Sequence, residues 1–401
     1  MSWTSIRLGD VVDVKHGFAF KGEFFADSGR YILLTPGNCH EAGGIKLRGD
    51  KEKYYVGEFP AEYILGQGDL LVVMTDLVGT APVLGGAFVV PEGDRFLHNQ
   101  RLGLVQVTDT ARMHRGFLYH LLNSHSYRAQ VRGSASGATV RHTSPDRIKA
   151  ALVRVPSDLG YQCKIAGTLD AYDDLIDNNR RRITLLEQSV RLLFDEWFVR
   201  QQLPEHLDSL PSEEPRQFSL ADLCIEVKSQ VLPEAMGADT PYIGLEHMPR
   251  RAITLSDWGS ATDVTSAKLR YTEGDIIFGK IRPYFHKVGV ALTDGVCSTD
   301  AIVMRPRSES LRPLLVALTS SDAFIAATAQ GMKEGSKMPR ADWKQMKAYS
   351  VSIPNSRVLS AFNCIVEPVL EQLKTLALQT RVLRTARDLL LPRLMSGEVT
   401  I

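Results

Sequence analysis

The chain has 401 residues, is 44% hydrophobic and 23% charged, and carries a formal net charge of +1. That length suits two or three domains with real cores, and the balanced charge neither requires nor excludes a nucleic-acid partner. No run of about 18 uncharged apolar residues occurs, so no membrane-spanning helix is expected.

The first residues, Met1 to Asp10, lack a basic segment followed by an apolar stretch, so no secretory signal is expected. Five cysteines, Cys39, Cys163, Cys224, Cys297 and Cys364, are odd in number, far apart and form no C-x-x-C pair. They point to reduced thiols in a cytoplasmic protein, without a disulfide framework or structural zinc.

In chain order, residues 1–156 hold short apolar strand-like runs, such as Leu70–Met74 and Ala87–Val90, between Gly, Pro and Asp turns. A helix is predicted over Arg115–Tyr127. From Arg112 to Arg154 the bases Arg115, Arg128, Arg132, Arg141, Arg147 and Lys149 face one acid, Asp146. Such a stripe suits phosphate contact, or is a solvated face whose acids come from elsewhere.

Residues 157–202 follow as a long helix. Ile165, Leu169, Tyr172, Ile176, Asn179, Ile183, Leu186, Val190, Leu193 and Trp197 alternate in steps of four and three, a coiled-coil seam about 50 Å long at 1.5 Å per residue. A Pro- and acid-rich linker occupies 203–215.

Residues 216–354 then repeat the first region, with strand-like runs Asp275–Phe278 and Asp300–Met304 and a predicted helix over Arg312–Ala329. Residues 355–401 repeat the long helix, with a seam of Phe362, Val366, Val369, Leu373, Leu376, Thr380, Leu383, Arg387, Leu390 and Leu394. Pro368 marks its first turn or kinks it.

The duplication shows in motifs that recur in order at an offset of about 200 residues. Ile6-Arg-Leu-Gly-Asp-Val and Val14-Lys15 return as Phe218-Ser-Leu-Ala-Asp-Leu and Val227-Lys228. Gln67-Gly-Asp-Leu-Leu returns as Glu273-Gly-Asp-Ile-Ile, and Val78-Gly79 as Val288-Gly289. Asn99-Gln-Arg matches Thr299-Asp-Ala, Gly133 to Gly137 matches Gly331 to Gly335, and Val153–Pro156 matches Val351–Pro354. The expected fold is α+β: two similar mixed α/β domains separated by two long helices that form an intramolecular antiparallel coiled coil with pseudo-two-fold symmetry. Homodimerisation through the seams is the alternative.

The order Leu-Gly-Asp, Gly-Asp-Leu-Leu, Asn99-Gln-Arg, Gly133-Ser-Ala-Ser-Gly, proline and long helix resembles the specificity-subunit family of type I restriction-modification systems. The helix endings Leu193-Phe-Asp-Glu-Trp-Phe198 and Arg387-Asp-Leu-Leu-Leu-Pro-Arg-Leu-Met-Ser-Gly-Glu-Val-Thr400 strengthen that resemblance. Leu394-Met395 in place of Trp197-Phe198, and Ala221 in place of Gly9, make the halves unequal.

The resemblance implies that residues 1–156 and 216–354 are target-recognition domains, each reading half of a bipartite site in double-stranded DNA. The long helices would set the gap. It also implies docking of two adenine methyltransferase subunits and of restriction-translocase subunits, with S-adenosylmethionine, ATP and magnesium on those partners.

No catalytic, cofactor or metal residues are assigned. Gly274–Lys280 has phosphate-loop spacing but is followed by Ile281 instead of Ser or Thr, and no Asn-Pro-Pro-aromatic motif occurs. A freestanding duplicated DNA-binding regulator and an enzyme of unrecognised type remain as other readings of the residues.

Bases are read by Arg, Lys, Asn, Gln, Ser and Thr in the grooves. In the first domain the candidates are Lys15, His16 and Lys21; Asn99, Gln100 and Arg101; and Arg132, Ser134, Ser136, Thr139, Arg141 and His142. In the second they are Lys228; Lys280, Arg282, Tyr284 and Lys287; and Lys333, Lys337 and Arg340. Asn99-Gln-Arg leads into a strand and has a structural alternative.

Overall fold

The computed structural model describes residues 2–208, 216–330, 338–353 and 355–401. The chain divides into two compact units, Met1–Asp174 with Thr385–Ile401, and Leu175–Arg384. The division falls within both long helices, Leu159–Phe194 and Ser356–Ser396, so each unit holds one globular part and one end of each helix.

In the first unit Trp3–Arg7 pairs antiparallel with Leu152–Pro156. An antiparallel sheet runs in the order Val12–His16, Leu102–Val107, Leu70–Val73, Ala87–Val89. A second sheet runs Phe25–Ala26, Tyr54–Tyr55, Tyr31–Leu33, Phe96–Leu97, Ile64–Leu65. Leu70–Val73 is buried along its whole length because both of its faces are covered. Leu70 and Val72 join one core, Leu71 and Val73 another. That explains an unbroken apolar run where a half-exposed strand would alternate.

The second unit repeats this plan. Arg216–Ser219 pairs with Ser350–Ile353, and a sheet runs Cys224–Val227, Ala301–Pro306, Ile276–Gly279, Val288–Ala291, Thr254–Leu255. Its other sheet runs Gln230–Val231, Lys268–Tyr271, Gly295–Cys297, Pro241–Ile243, Gly259–Ser260. Ile276 and Phe278 face one core and Ile277 the other.

The repeated Gly-Asp has one local cause in both units. Gly68 and Gly274 sit at φ +86° and +85°, where a side chain would be strained. Asp69 accepts from Gly66 N at 2.9 Å, and Asp275 from Thr272 N at 2.8 Å, each closing the turn before its strand.

The ladders correct parts of the repeat. Ile6 pairs with Val153 and Phe218 with Val351, as the motifs align them. Val288-Gly289, however, belongs to the strand beside Ile276–Gly279, and the strand beside Leu70–Val73 is Ala87–Val89. Val78-Gly79 lies in the intervening loop and is not its equivalent.

Asn99 corresponds to Ser298, one residue from the motif alignment: Asn99 Oδ1 accepts from Arg101 N at 3.0 Å and Ser298 Oγ from Asp300 N at 3.1 Å. Likewise Lys15 pairs with Leu104 and Val227 with Val303, which makes His16 the counterpart of Lys228. Each predicted helix is also two. Arg115–Asn123 gives way to His125–Ser134 at Ser124, whose hydroxyl caps Tyr127 N. Arg312–Thr319 gives way to Asp322–Gln330, where Ser321 Oγ accepts from Phe324 N at 3.2 Å.

Within the first unit the ends of the long helices run antiparallel. Tyr161 donates to Val399 O at 3.4 Å, Asp173 meets Arg387 at 2.6 Å, and Leu394 and Met395 share a core with Ile165 and Leu169. Arg387, polar in an apolar seam, thus finds a carboxylate.

Within the second unit Phe198 meets Phe362 edge-on at 5.0 Å, and Val190 and Phe194 pack in one core with Val366 and Leu373. Here Glu187, invisible to the heptad reading, is buried. Its carboxylate accepts from Ile253 N at 2.8 Å and Thr254 N at 2.9 Å, fixing the helix to the globular part. Pro368 lies inside Ser356–Ser396 on its exposed side, so it does not mark the first turn. Among the described residues no helix is long and apolar enough to cross a membrane.

Candidate nucleic-acid interface

Strand register decides which candidates meet. In the second unit Gly279 pairs with Ala301 and Val227 with Val303. Residues 228–229, 298–301 and 279–282 therefore leave the sheet at the same end. Ile281 bridges to Arg340, Ala341 N donates to Lys280 O at 2.8 Å, and Arg282 N donates to Pro339 O at 2.8 Å.

This brings Lys280, Arg282, Tyr284, Lys287 and Arg340 around one turn, with Lys228 across the sheet. Lys280 Nζ donates to Thr299 O at 3.1 Å, Arg340 pairs with Asp300 at 3.2 Å, and Lys228 with Glu226 at 3.0 Å. Burial and the neighbouring Arg250 push the Lys287 ammonium below the usual lysine range. Exposed pairs of this kind hold their cations weakly, so the cations can exchange a carboxylate for a phosphate. Lys333 and Lys337 lie outside the described residues.

The first unit uses the same end of the equivalent sheet. His16 pairs with Gly103 and Leu102 with Val73, so Lys15, His16, Asn99–Arg101 and the residues after Val73 converge. Thr75 and Asp76 pair with His142 and Arg141, which draws the 132–142 segment to the same edge. Thr75 Oγ1 lies 3.1 Å from His142 Nδ1, and Arg141 donates to Arg132 O at 2.7 Å. Ser136 accepts from Arg147 at 3.1 Å, and Thr139 is exposed.

Not every candidate is available. Asn99 is buried and its Oδ1 accepts from Arg101 N, while Gln100 and Arg101 are exposed. Ser134 is exposed at the end of its helix and donates to Val131 O at 3.1 Å. Lys21 is exposed further along, before the turn Gly22–Phe24.

The basic stripe is partly internal. Arg128 is buried and donates to the carbonyls of Glu41 and Pro82, and burial lowers its pKa. Lys149 pairs with Asp13 at 3.2 Å, and Arg112 with Asp109 at 3.8 Å.

Three features were missed in the sequence. Arg250 lies over the Phe285 ring at 3.9 Å beside the second cluster. Leu77 and Val78 stand exposed at the first. Phe18, Phe20, Tyr55, Phe59 and Tyr63 form an aromatic cluster behind Lys15, a density of rings that was legible but unused.

A basic edge lies on each of two like sheets, and among the described residues no group of His, Cys, Asp and Glu is suited to a metal. Residues 1–188 match the family model described as the type I restriction modification DNA specificity domain. The chain is 22% identical over 306 residues to the specificity subunit of type I restriction enzyme MjaIX from Methanocaldococcus jannaschii, covering 71% of this chain and 69% of that one.

It is 26% identical over 191 residues to the EcoBI specificity subunit of Escherichia coli, covering 47% of this chain and 36% of the relative. The fold matches the crystal structure of a type I restriction-modification S subunit from M. genitalium with a TM-score of 0.63 at 16% identity, over 98% of this chain and 96% of that one. Residues 1–188 thus match the DNA specificity domain of type I restriction-modification systems, and the chain as a whole is similar to their specificity subunits.

Proposed function

We propose that this subunit reads a bipartite target in double-stranded DNA. Residues 1–156 and 216–354 act as target-recognition domains, 157–202 and 355–401 as spacer helices, and 203–215 as the linker. The observation that carries the reading is the convergence, in both units, of separately predicted basic clusters on the same end of equivalent sheets.

The DNA contacts are drawn from Lys15, His16, Gln100, Arg101, Arg132, Thr139, Arg141 and His142 in the first domain, and from Lys228, Lys280, Arg282, Tyr284, Lys287 and Arg340 in the second. The long helices set the gap between half-sites and dock two methyltransferase subunits, and restriction subunits complete the complex in the cytoplasm. Leu185 and Leu192, exposed at seven-residue spacing on the first long helix, support a docking face. S-adenosylmethionine, ATP and magnesium belong to the partners.

The test is to co-purify the chain with its methyltransferase and map methylated adenines in cells expressing the complete system. A split motif is expected, and Lys280→Ala with Arg282→Ala is expected to weaken one half-site only. Equal loss at both halves contradicts two separate readers.

A further inference from the structure

We infer that the specificity-determining contacts at the centre of each basic edge are apolar: Leu77 and Val78 in the first unit and Tyr284 in the second. This rests on the reading above that these edges face DNA.

Backbone bonds establish that the positions are equivalent. Thr143 N donates to Met74 O at 2.9 Å and Ala341 N to Lys280 O at 2.8 Å, while Thr75 pairs with His142 and Ile281 with Arg340. Met74 and Lys280 therefore begin corresponding loops, and the third and fourth residues after each are Leu77-Val78 and Pro283-Tyr284. Leu77, Val78 and Tyr284 are 59%, 53% and 52% exposed.

A single exposed apolar residue is ordinary. These are held out by built loops. The buried Asp76 carboxylate accepts from Val78 N at 3.0 Å and Val83 N at 2.8 Å, and Ala81 is left-handed at φ +52°. In the second unit two left-handed residues, Arg282 at +49° and His286 at +53°, bracket Pro283–Phe285. Arg282 N is tied to Pro339 O, His286 Nε2 lies 3.0 Å from Ser320 O, and Arg250 covers the Phe285 ring.

Each tip is thus an apolar projection on the same sheet edge as cations, Arg101 and Arg141 in one unit and Lys280, Arg282 and Arg340 in the other. Cations bind phosphate whatever the sequence. The aliphatic tips have no affinity for phosphate and fit the thymine methyl in the groove; the Tyr284 ring offers a like apolar contact, while its hydroxyl can also donate to a base edge or a phosphate. Aliphatic tips in one reader and a tyrosine in the other give the two halves different base preferences.

The experiment maps methylated adenines in cells expressing the complete system with Tyr284→Ser, with Leu77→Ser and Val78→Ser together, and with Lys280→Ala and Arg282→Ala together. Tyr284→Ser is expected to relax one or two positions of one half-site, with discrimination there falling about 5- to 150-fold. The other half, the gap and the salt dependence of binding by the purified complex stay unchanged, because no cation is removed. The Leu77/Val78 variant does the same to the other half. If both Ser variants keep the wild-type preference while the Lys280/Arg282 variant alters binding, the tips are not readers and the interface stands. If none of the three has an effect, the interface is misplaced and both readings fall.

Discussion

The two globular units build the same sheets from different residues, and the contrast separates what the fold needs from what a reader can vary. Leu70–Val73 and Ile276–Gly279 are both buried strands behind a left-handed glycine and a turn-closing aspartate. After them the chains diverge. From Val73 to its partner Gly86 the first unit organises a long loop on Asp76, whereas Gly279 reaches Lys287 through a tight turn of left-handed residues. Position and framework are shared, and the side chains offered at the edge are not.

The largest effect expected from this contrast is at Gly17. A Cβ there would lie 2.2 Å from Asn99 O, so Gly17→Ala should destabilise the first unit by about 3 kcal/mol. Ser229 stands at the corresponding place and is exposed, so Ser229→Ala should stay within about 0.5 kcal/mol. Unit-resolved hydrogen exchange reads both, and equal effects would break the equivalence.

Acid should also distinguish the units. Burial pushes the His98 imidazole from 6.5 down to about 4, so the folded state favours the neutral ring. The associated stability is fully present above pH 6.5 and is lost as pH falls toward 4, by about 3 kcal/mol. Cys297, at the corresponding position, has its thiol pushed up to about 12 by burial and stays neutral over that range. His98→Gln should flatten the first unit's stability profile between pH 6.5 and 4, and an unchanged profile would contradict the assignment.

A smaller effect is expected at Asp76. Asp76→Ala leaves the N–H groups of Val78 and Val83 without their carboxylate, costing about 2 kcal/mol. Methylation mapping should show relaxed recognition of one half-site, with the half read by the second unit intact.

Much of this plan was legible in the sequence, because periodicity is local. Ile165 to Trp197 and Phe362 to Leu394 announce their helices, and Leu70–Met74 announces a strand. Register was not legible to one residue. Lys15 lies opposite Leu104 in a ladder that the motif Val14-Lys15 could not anticipate, and Val78-Gly79 resembled Val288-Gly289 only in composition.

The site was half legible. Lys280, Arg282 and Arg340 meet because Ile281 bridges a distant segment, a pairing no local pattern encodes. Arg128 looked like a surface base but serves two buried carbonyls. Glu187, which lies off the heptad seam, fixes Ile253 and Thr254. Such roles depend on what lies opposite in space.

The central claim, that the paired helices set the distance between two readers, is tested most directly by removing one heptad from each, residues 178–184 and 376–382, which keeps the seam in phase. Seven residues at 1.5 Å span about 10 Å, or about three base pairs of DNA. Mapping methylated adenines should return the same two half-sites with the gap shortened by about that amount. The same half-sites at an unshortened gap would contradict the account.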